Sequence, residues 1–200
     1  MTLRELVTTF LLGAKGEALT AFDATTWLYE RASEIGFGGF IVEIGTWCGW
    51  TAAAMALGGP TVLCVDTFIM SGLHVRDQAG QLQTLSPGEP RPGTLDIFAK
   101  RVAGAGLGER VVAVQAKSLE AAVAMPHGVA DLVFIDGDHE LEAVRADVRA
   151  WAPVVKPGGL LCLDNWELVK EAVLPAWTEY CVGWSALTEG CHQIWWTRKP

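Results

Sequence analysis

Short apolar runs rich in Val, Ile and Leu recur along the chain, with glycines at their ends and longer amphipathic stretches between them. The runs at 39–44, 61–65, 111–115, 132–135 and 160–163 read as strands. They are continuous rather than alternating, so each is expected to be central and covered on both faces. Between them, 50–57, 95–105, 119–125 and 140–152 have helical spacing, with stops at Gly58-Gly59-Pro60, at 106–108 and at Pro157-Gly158-Gly159. Such alternation predicts βαβ units on a parallel sheet. After the fifth run, 167–180 looks helical apart from Pro175. The segments 181–187 and 191–197 then flank Thr188-Glu189-Gly190, a hairpin signal. The expected class is therefore α/β: a Rossmann-like, doubly wound, mostly parallel seven-stranded sheet with a C-terminal antiparallel hairpin.

Upstream of the first strand, 3–12 and 20–35 have helical spacing and suit an N-terminal cap or the face of a homodimer. The stretch 69–94 breaks the rhythm with Pro87, Pro90, Pro92 and several glycines. A loop that long inside one domain is either a substrate-selecting insertion or a surface excursion. Two hundred residues are expected to form a single domain over 1–200.

Charge and composition narrow the function. Fifteen basic against 23 acidic residues give a net charge of −8, which repels a polyphosphate backbone and argues against nucleic acid. No apolar stretch approaches the ~20 residues of a membrane span, and the N-terminus makes a poor signal peptide. Five cysteines, odd in number and without a C-x-x-C pair, read as reduced thiols in a cytoplasmic protein.

Candidate chemistry gathers where runs end. In Ile41-Val-Glu-Ile-Gly-Thr-Trp-Cys-Gly-Trp-Thr51 a buried strand meets a glycine turn and then a helix start. Gly45 and Gly49 would let a ligand approach the backbone. Glu43 is a carboxylate in a core strand and needs a partner. The G-x-x-x-G spacing differs from the dinucleotide fingerprint, which disfavours a nicotinamide-dependent dehydrogenase. Asp66 ends the second strand about 20 residues on, where an acid can hold ribose hydroxyls. The fourth strand opens into Asp136-Gly-Asp-His139 and the fifth into Asp164-Asn165, so these groups should emerge at one sheet edge. Asp136, Asp164 and Asn165 form a hard oxygen set suited to Mg²⁺, Mn²⁺ or Ca²⁺, and the lack of thiols argues against zinc.

These residues resemble the S-adenosylmethionine site of the class I methyltransferases. Within that class they are most similar to the metal-dependent O-methyltransferases of catechol and macrolide-sugar (macrocin) type. The likeness spans residues 25–166. It rests on the acid-x-Gly-x-aromatic-Cys-Gly-aromatic-hydroxyl run, on Asp66, and on the interval from Asp136 to the Asp164-Asn165 pair. It implies Glu43 on the methionine ammonium, with Gly45, Thr46, Trp47, Gly49 and Thr51 around the methionine half. It also implies Asp66 on the ribose, Ser118 against the adenine, and Asp136, Asp164 and Asn165 as metal ligands, Asp136 also bordering the cofactor. Macrolide-sugar enzymes often carry a second acid where Asn165 stands. The proton acceptor is His139 or Asp138. An imidazole with a pKa near 6.5 suits that task better than a solvated carboxylate. Among the tryptophans, Trp166 follows the ligand pair and is the leading candidate to stack on a substrate ring. The implied substrate is a small molecule with a hydroxyl, such as a catechol, phenol, sugar or polyketide. The same residues would also suit a scaffold that keeps the cofactor without the chemistry, or an oxidising relative grouped with cephalosporin-modifying enzymes.

Overall fold

The computed structural model describes residues 22–69, 74–76, 82–84, 94–191 and 193–200. Helix α1 (Phe22–Ile35) leads into β1 (Phe40–Ile44), α2 (Trp50–Leu57) and β2 (Thr61–Asp66). A short antiparallel pair, β3 (His74–Arg76) and β4 (Leu82–Thr84), precedes α3 (Thr94–Gly104). Then come β5 (Val111–Gln115), α4 (Ser118–Ala124), β6 (Ala130–Ile135) and α5 (Leu141–Trp151), which runs into a 3₁₀ turn at Ala152–Val154. The chain finishes with β7 (Val155–Leu163), α6 (Trp166–Tyr180), β8 (Thr188–Cys191) and β9 (Ile194–Arg198). The predicted helix over 3–12 and most of the stretch 69–94 lie outside the described residues.

Seven strands form one sheet in the order β5-β2-β1-β6-β7-β9-β8. The first five in that order run parallel, while β9 is antiparallel to β7 and to β8. Alternate side chains feed two separate cores, as a period of two requires. Val42, Ile44, Val133, Ile135, Leu161 and Leu163 pack against α5 and α6, together with Trp151 and Val173. Ile41, Leu132, Phe134, Leu160 and Cys162 pack against α1, α2 and α3, together with Leu28 and Met55. Burial pushes the Cys64, Cys162 and Cys181 thiols up, which leaves them inert. Among the described residues, no helix is long and apolar enough to cross a membrane.

Three expectations change. The run 111–115 is not central: β5 is the sheet edge, and Val112 is exposed there. Thr188-Glu189-Gly190 is strand rather than turn, and 181–187 is not a strand, so the hairpin closes just before Ile194. A Cβ on Gly190 would come within 2.8 Å of the Trp27 ring, so this glycine serves close packing on α1. Pro157 and Gly158, expected to stop a helix, sit in β7 where its register with β6 slips between the Ala130–Val155 and Leu132–Leu160 pairs.

Candidate functional site

Backbone hydrogen bonds continue past the strand ends and align the tips. Gly45 N–H donates to Val65 at 2.9 Å, Asp136 N–H to Ile44 at 2.9 Å, Asp164 N–H to Ile135 at 3.1 Å and Ala116 N–H to Asp66 at 3.0 Å. The turns after β1, β2, β5, β6 and β7 therefore open on one edge. Three of them carry the positive-φ non-glycine residues found among the described residues: Trp47 (φ 46), Phe68 (φ 53) and Asn165 (φ 56). Backbone of this kind concentrates at functional sites.

The turn after β1 is built around two carboxylates. Glu43 is fully buried; Thr46 Oγ1 donates to its Oε2 at 2.6 Å and Thr51 Oγ1 donates to its Oε1. Burial pushes the Glu43 carboxyl up to about 7; the two hydroxyls oppose that rise and the nearby Asp66 charge adds to it. Each Glu43 oxygen thus accepts one hydroxyl within the protein. Asp66 accepts the N–H of Trp47 at 2.7 Å and that of Phe68 at 2.6 Å. The Trp47 indole Nε1 is buried and has no hydrogen-bond partner among the described residues. Such a donor ordinarily has one.

The glycines serve internal fit. A Cβ on Gly45 (φ +85) would lie 2.1 Å from the Asp136 carbonyl oxygen, and one on Gly49 (φ +72) would lie 2.5 Å from the Phe98 ring. On the side a Cβ would occupy, what approaches these backbones is protein. Gly45 lets the β1 and β6 turns touch.

On the other side, Asp136, Asp138, His139 and Asp164 line one small cavity of about 10 Å³ with Ile135 and Leu163. Burial, followed by the Asp164 charge, pushes the Asp136 carboxyl up to about 7. His139 Nε2 stands 3.9 Å from Asp136 Oδ1, beyond hydrogen-bond range. Their relation is one of charge, and Asp136 holds the His139 pKa above its ordinary 6.5 against the opposing effect of burial. His139 Nε2 is itself buried without a hydrogen-bond partner among the described residues. Asp138 is exposed, and its Oδ1 accepts the Glu140 N–H at 3.0 Å, which starts α5.

Asn165 follows Asp164 as the N-cap of α6, makes no side-chain cap bond, and does not line the cavity. Of the trio expected from sequence, Asp136 and Asp164 line one cavity and Asn165 follows next along the chain. Among the described residues, no group of three His, Cys, Asp or Glu side chains could hold a metal.

Ser118 is the first residue of α4 rather than its cap, which is Lys117. Its hydroxyl donates to Asp147 Oδ1 at 2.5 Å and accepts the Trp151 Nε1–H at 2.8 Å. Neither partner was legible in the sequence, since each is a lone polar side chain among the buried residues of α5. Trp166 is buried and stacks on Trp195 at 4.3 Å with an interplanar angle of 16°, so its ring is already covered. Trp50 is likewise core, its Nε1 donating to Thr25 at 3.0 Å. A groove of about 670 Å³ between α4 and α5 lies apart from these residues. Its two arginines are committed, Arg145 to Glu179 at 2.8 Å and Arg149 over the Tyr180 ring at 5.9 Å.

Comparison with known proteins agrees with this geometry. Residues 42–166 match the family model described as a methyltransferase domain. An O-methyltransferase from Bacillus cereus, solved in complex with SAH, superposes with a TM-score of 0.64 at 17% identity, covering 98% of this chain and 90% of that one. A Staphylococcus aureus protein described as a caffeoyl-CoA O-methyltransferase gives 0.64 at 15% identity, covering 100% and 93%. A protein from Corynebacterium glutamicum gives 0.65 at 18% identity, covering 98% and 89%.

Proposed function

The chain belongs to the methyltransferase domain family, and on that premise we propose that it is an S-adenosylmethionine-dependent O-methyltransferase. In this reading it works with a divalent cation, Mg²⁺ by donor chemistry, on a hydroxyl of a small phenol, catechol, sugar or natural product. The observation that carries the proposal is the pairing of Asp136 with Asp164 at adjacent strand tips, beside the orphaned Nε2 of His139.

On the cofactor side, Asp66 would hold the ribose; each oxygen has a lone pair left after receiving one N–H. The Trp47 indole N–H offers an unused donor to the methionine half, next to Thr46 and Thr51. Glu43 orients those two hydroxyls and, since each of its oxygens likewise keeps a lone pair, would meet the methionine ammonium. Gly45 and Gly49 shape the turn, and Ser118 borders the adenine. S-adenosylmethionine supplies the electrophilic methyl group.

Two facing carboxylates that repel each other fit a hard cation, and the amide of Asn165 is a third oxygen donor close by in sequence. A cation held by Asp136, Asp164 and Asn165 would lower the pKa of a substrate hydroxyl. His139 then takes the proton. Its Nε2 is buried with no hydrogen-bond partner among the described residues, whereas Asp138 is solvated and already bonded to the Glu140 N–H. Substrate orientation falls to the edge formed by the β1, β6 and β7 turns, where alignment with the methyl group governs the rate.

The test is mass spectrometry of reactions with S-adenosylmethionine, Mg²⁺ and a panel of vicinal diols, with Asp164→Ala alongside. A product one methyl heavier, lost in EDTA and in Asp164→Ala, is expected. Equal product in EDTA removes the cation from the mechanism.

A further inference from the structure

β5 ends the sheet on one side, and its main chain can be read for direction. Val62 N–H donates to the Arg110 carbonyl at 2.7 Å and Ala116 N–H donates to the Asp66 carbonyl at 3.0 Å, so Arg110 and Ala116 turn these groups toward β2. By the two-residue period of a strand, Val112 and Val114 do the same, whereas Val111, Ala113 and Gln115 turn their polar groups outward. The Val111 N–H is spent on the Leu107 carbonyl at 3.0 Å, and the Gln115 side chain on the Thr67 carbonyl at 3.1 Å. Among the described residues, the outward N–H groups of Ala113 and Gln115 meet no main-chain partner.

Native sheets blunt such edges with charge, proline or a bulge. The opposite edge follows that rule: β8 carries Glu189, slips its register on β9 between Glu189 and Cys191, and seats Gly190 against Trp27. β5, Val-Val-Ala-Val-Gln, has no charge, no proline and an unbroken register with β2, and Val112 on it is exposed.

We propose that this edge is where a second copy of the chain pairs, strand to strand and antiparallel, about a two-fold axis through Ala113. The segment is complementary to itself, which singles out a second copy as the occupant. Pairing about Ala113 sets Val112 opposite the partner's Val114, and it brings exposed Glu109, before the strand, toward the partner's Lys117, after it. Ala113 is an outward residue, so the axis falls on a hydrogen-bonded pair. Its N–H donates to the partner's Ala113 carbonyl and the Gln115 N–H to the partner's Val111 carbonyl, both repeated by the symmetry.

The test is sedimentation velocity of the full chain at concentrations up to about 100 μM, which reach even small interfaces. Wild type should sediment at twice the chain mass. Ala113→Pro should sediment as a folded monomer by circular dichroism, because the N–H it removes serves no bond to β2 and proline is tolerated at such an edge position. Should that variant fail to fold, Ala113→Lys gives the same decision, since the axis sets two like charges against each other. Ala113→Lys mixed with Ala113→Glu should restore the doubled mass, which a dimer built on any other face would not require. A monomeric wild type overturns the proposal. So does a dimer that survives both Ala113→Pro and Ala113→Lys, or a mixture that stays monomeric.

Discussion

Asp66, at the tip of β2, accepts the backbone N–H of Trp47 at 2.7 Å and so pins the turn after β1 in its left-handed conformation. Its other oxygen does the same for Phe68, at 2.6 Å, which also has a positive φ. One side chain thus supports two strained residues and, in the proposed reading, a ribose as well. Asp66→Ala should weaken S-adenosylhomocysteine binding by at least about tenfold, since charge-assisted bonds are the stronger kind. Calorimetric titration checks this, and an unchanged affinity would remove Asp66 from the ribose.

Glu43 contributes, with the likewise raised Asp136 and Asp147, to the pH dependence of stability. Its carboxyl is raised from 4.5 to about 7 in the folded chain, so between those values the folded state holds a proton that the unfolded state has lost. Stability from this group is fully present below pH 4.5 and is lost as pH rises to about 7. The loss is ~3 kcal/mol at roughly 1.4 kcal/mol per pH unit. Urea denaturation of metal-free protein at pH 5 and pH 8 should show the higher stability at pH 5, and Glu43→Gln should shrink the difference. A midpoint that rises with pH in wild type would contradict this.

Gly45→Ala places a methyl group 2.1 Å from the Asp136 carbonyl, at a φ of +85. Strain and overlap together should cost about 2 kcal/mol or more, and the Asp136 turn must move. Thermal unfolding is expected to show the loss. A variant as stable as wild type would mean that the β1 and β6 turns are not in contact.

These turns were legible in the sequence because each is a conspicuous break, an apolar run ending in acids and glycines. The β1, β6 and β7 tips accordingly lie at one edge, as read. Where the signal was local and ambiguous, packing decided otherwise. Gly190 looked like turn chemistry, yet it lies in β8 because the Trp27 ring leaves no room for a side chain. Val112 belongs to an apolar run, yet β5 lies at the edge, a matter of strand order that composition does not encode. Trp166 stood next to a ligand pair and turned out to stack on Trp195, a residue distant in sequence. The Ser118–Asp147–Trp151 cluster was invisible for the same reason, since only folding brings α4 onto α5.

His139 and Asp138 are separable by kinetics. If His139 accepts the proton, His139→Ala should flatten the acidic limb of the pH–rate profile, while Asp138→Ala should keep that limb and chiefly loosen the start of α5. An unchanged limb in His139→Ala would transfer the role to Asp138.

The cofactor is the premise of every step, and calorimetric titration of the purified chain with S-adenosylmethionine tests it most directly. Saturable one-to-one binding is predicted, retained within a few-fold in Asp164→Ala and weakened in Asp66→Ala. Absence of binding, or tight binding of a nicotinamide dinucleotide in its place, would contradict the account.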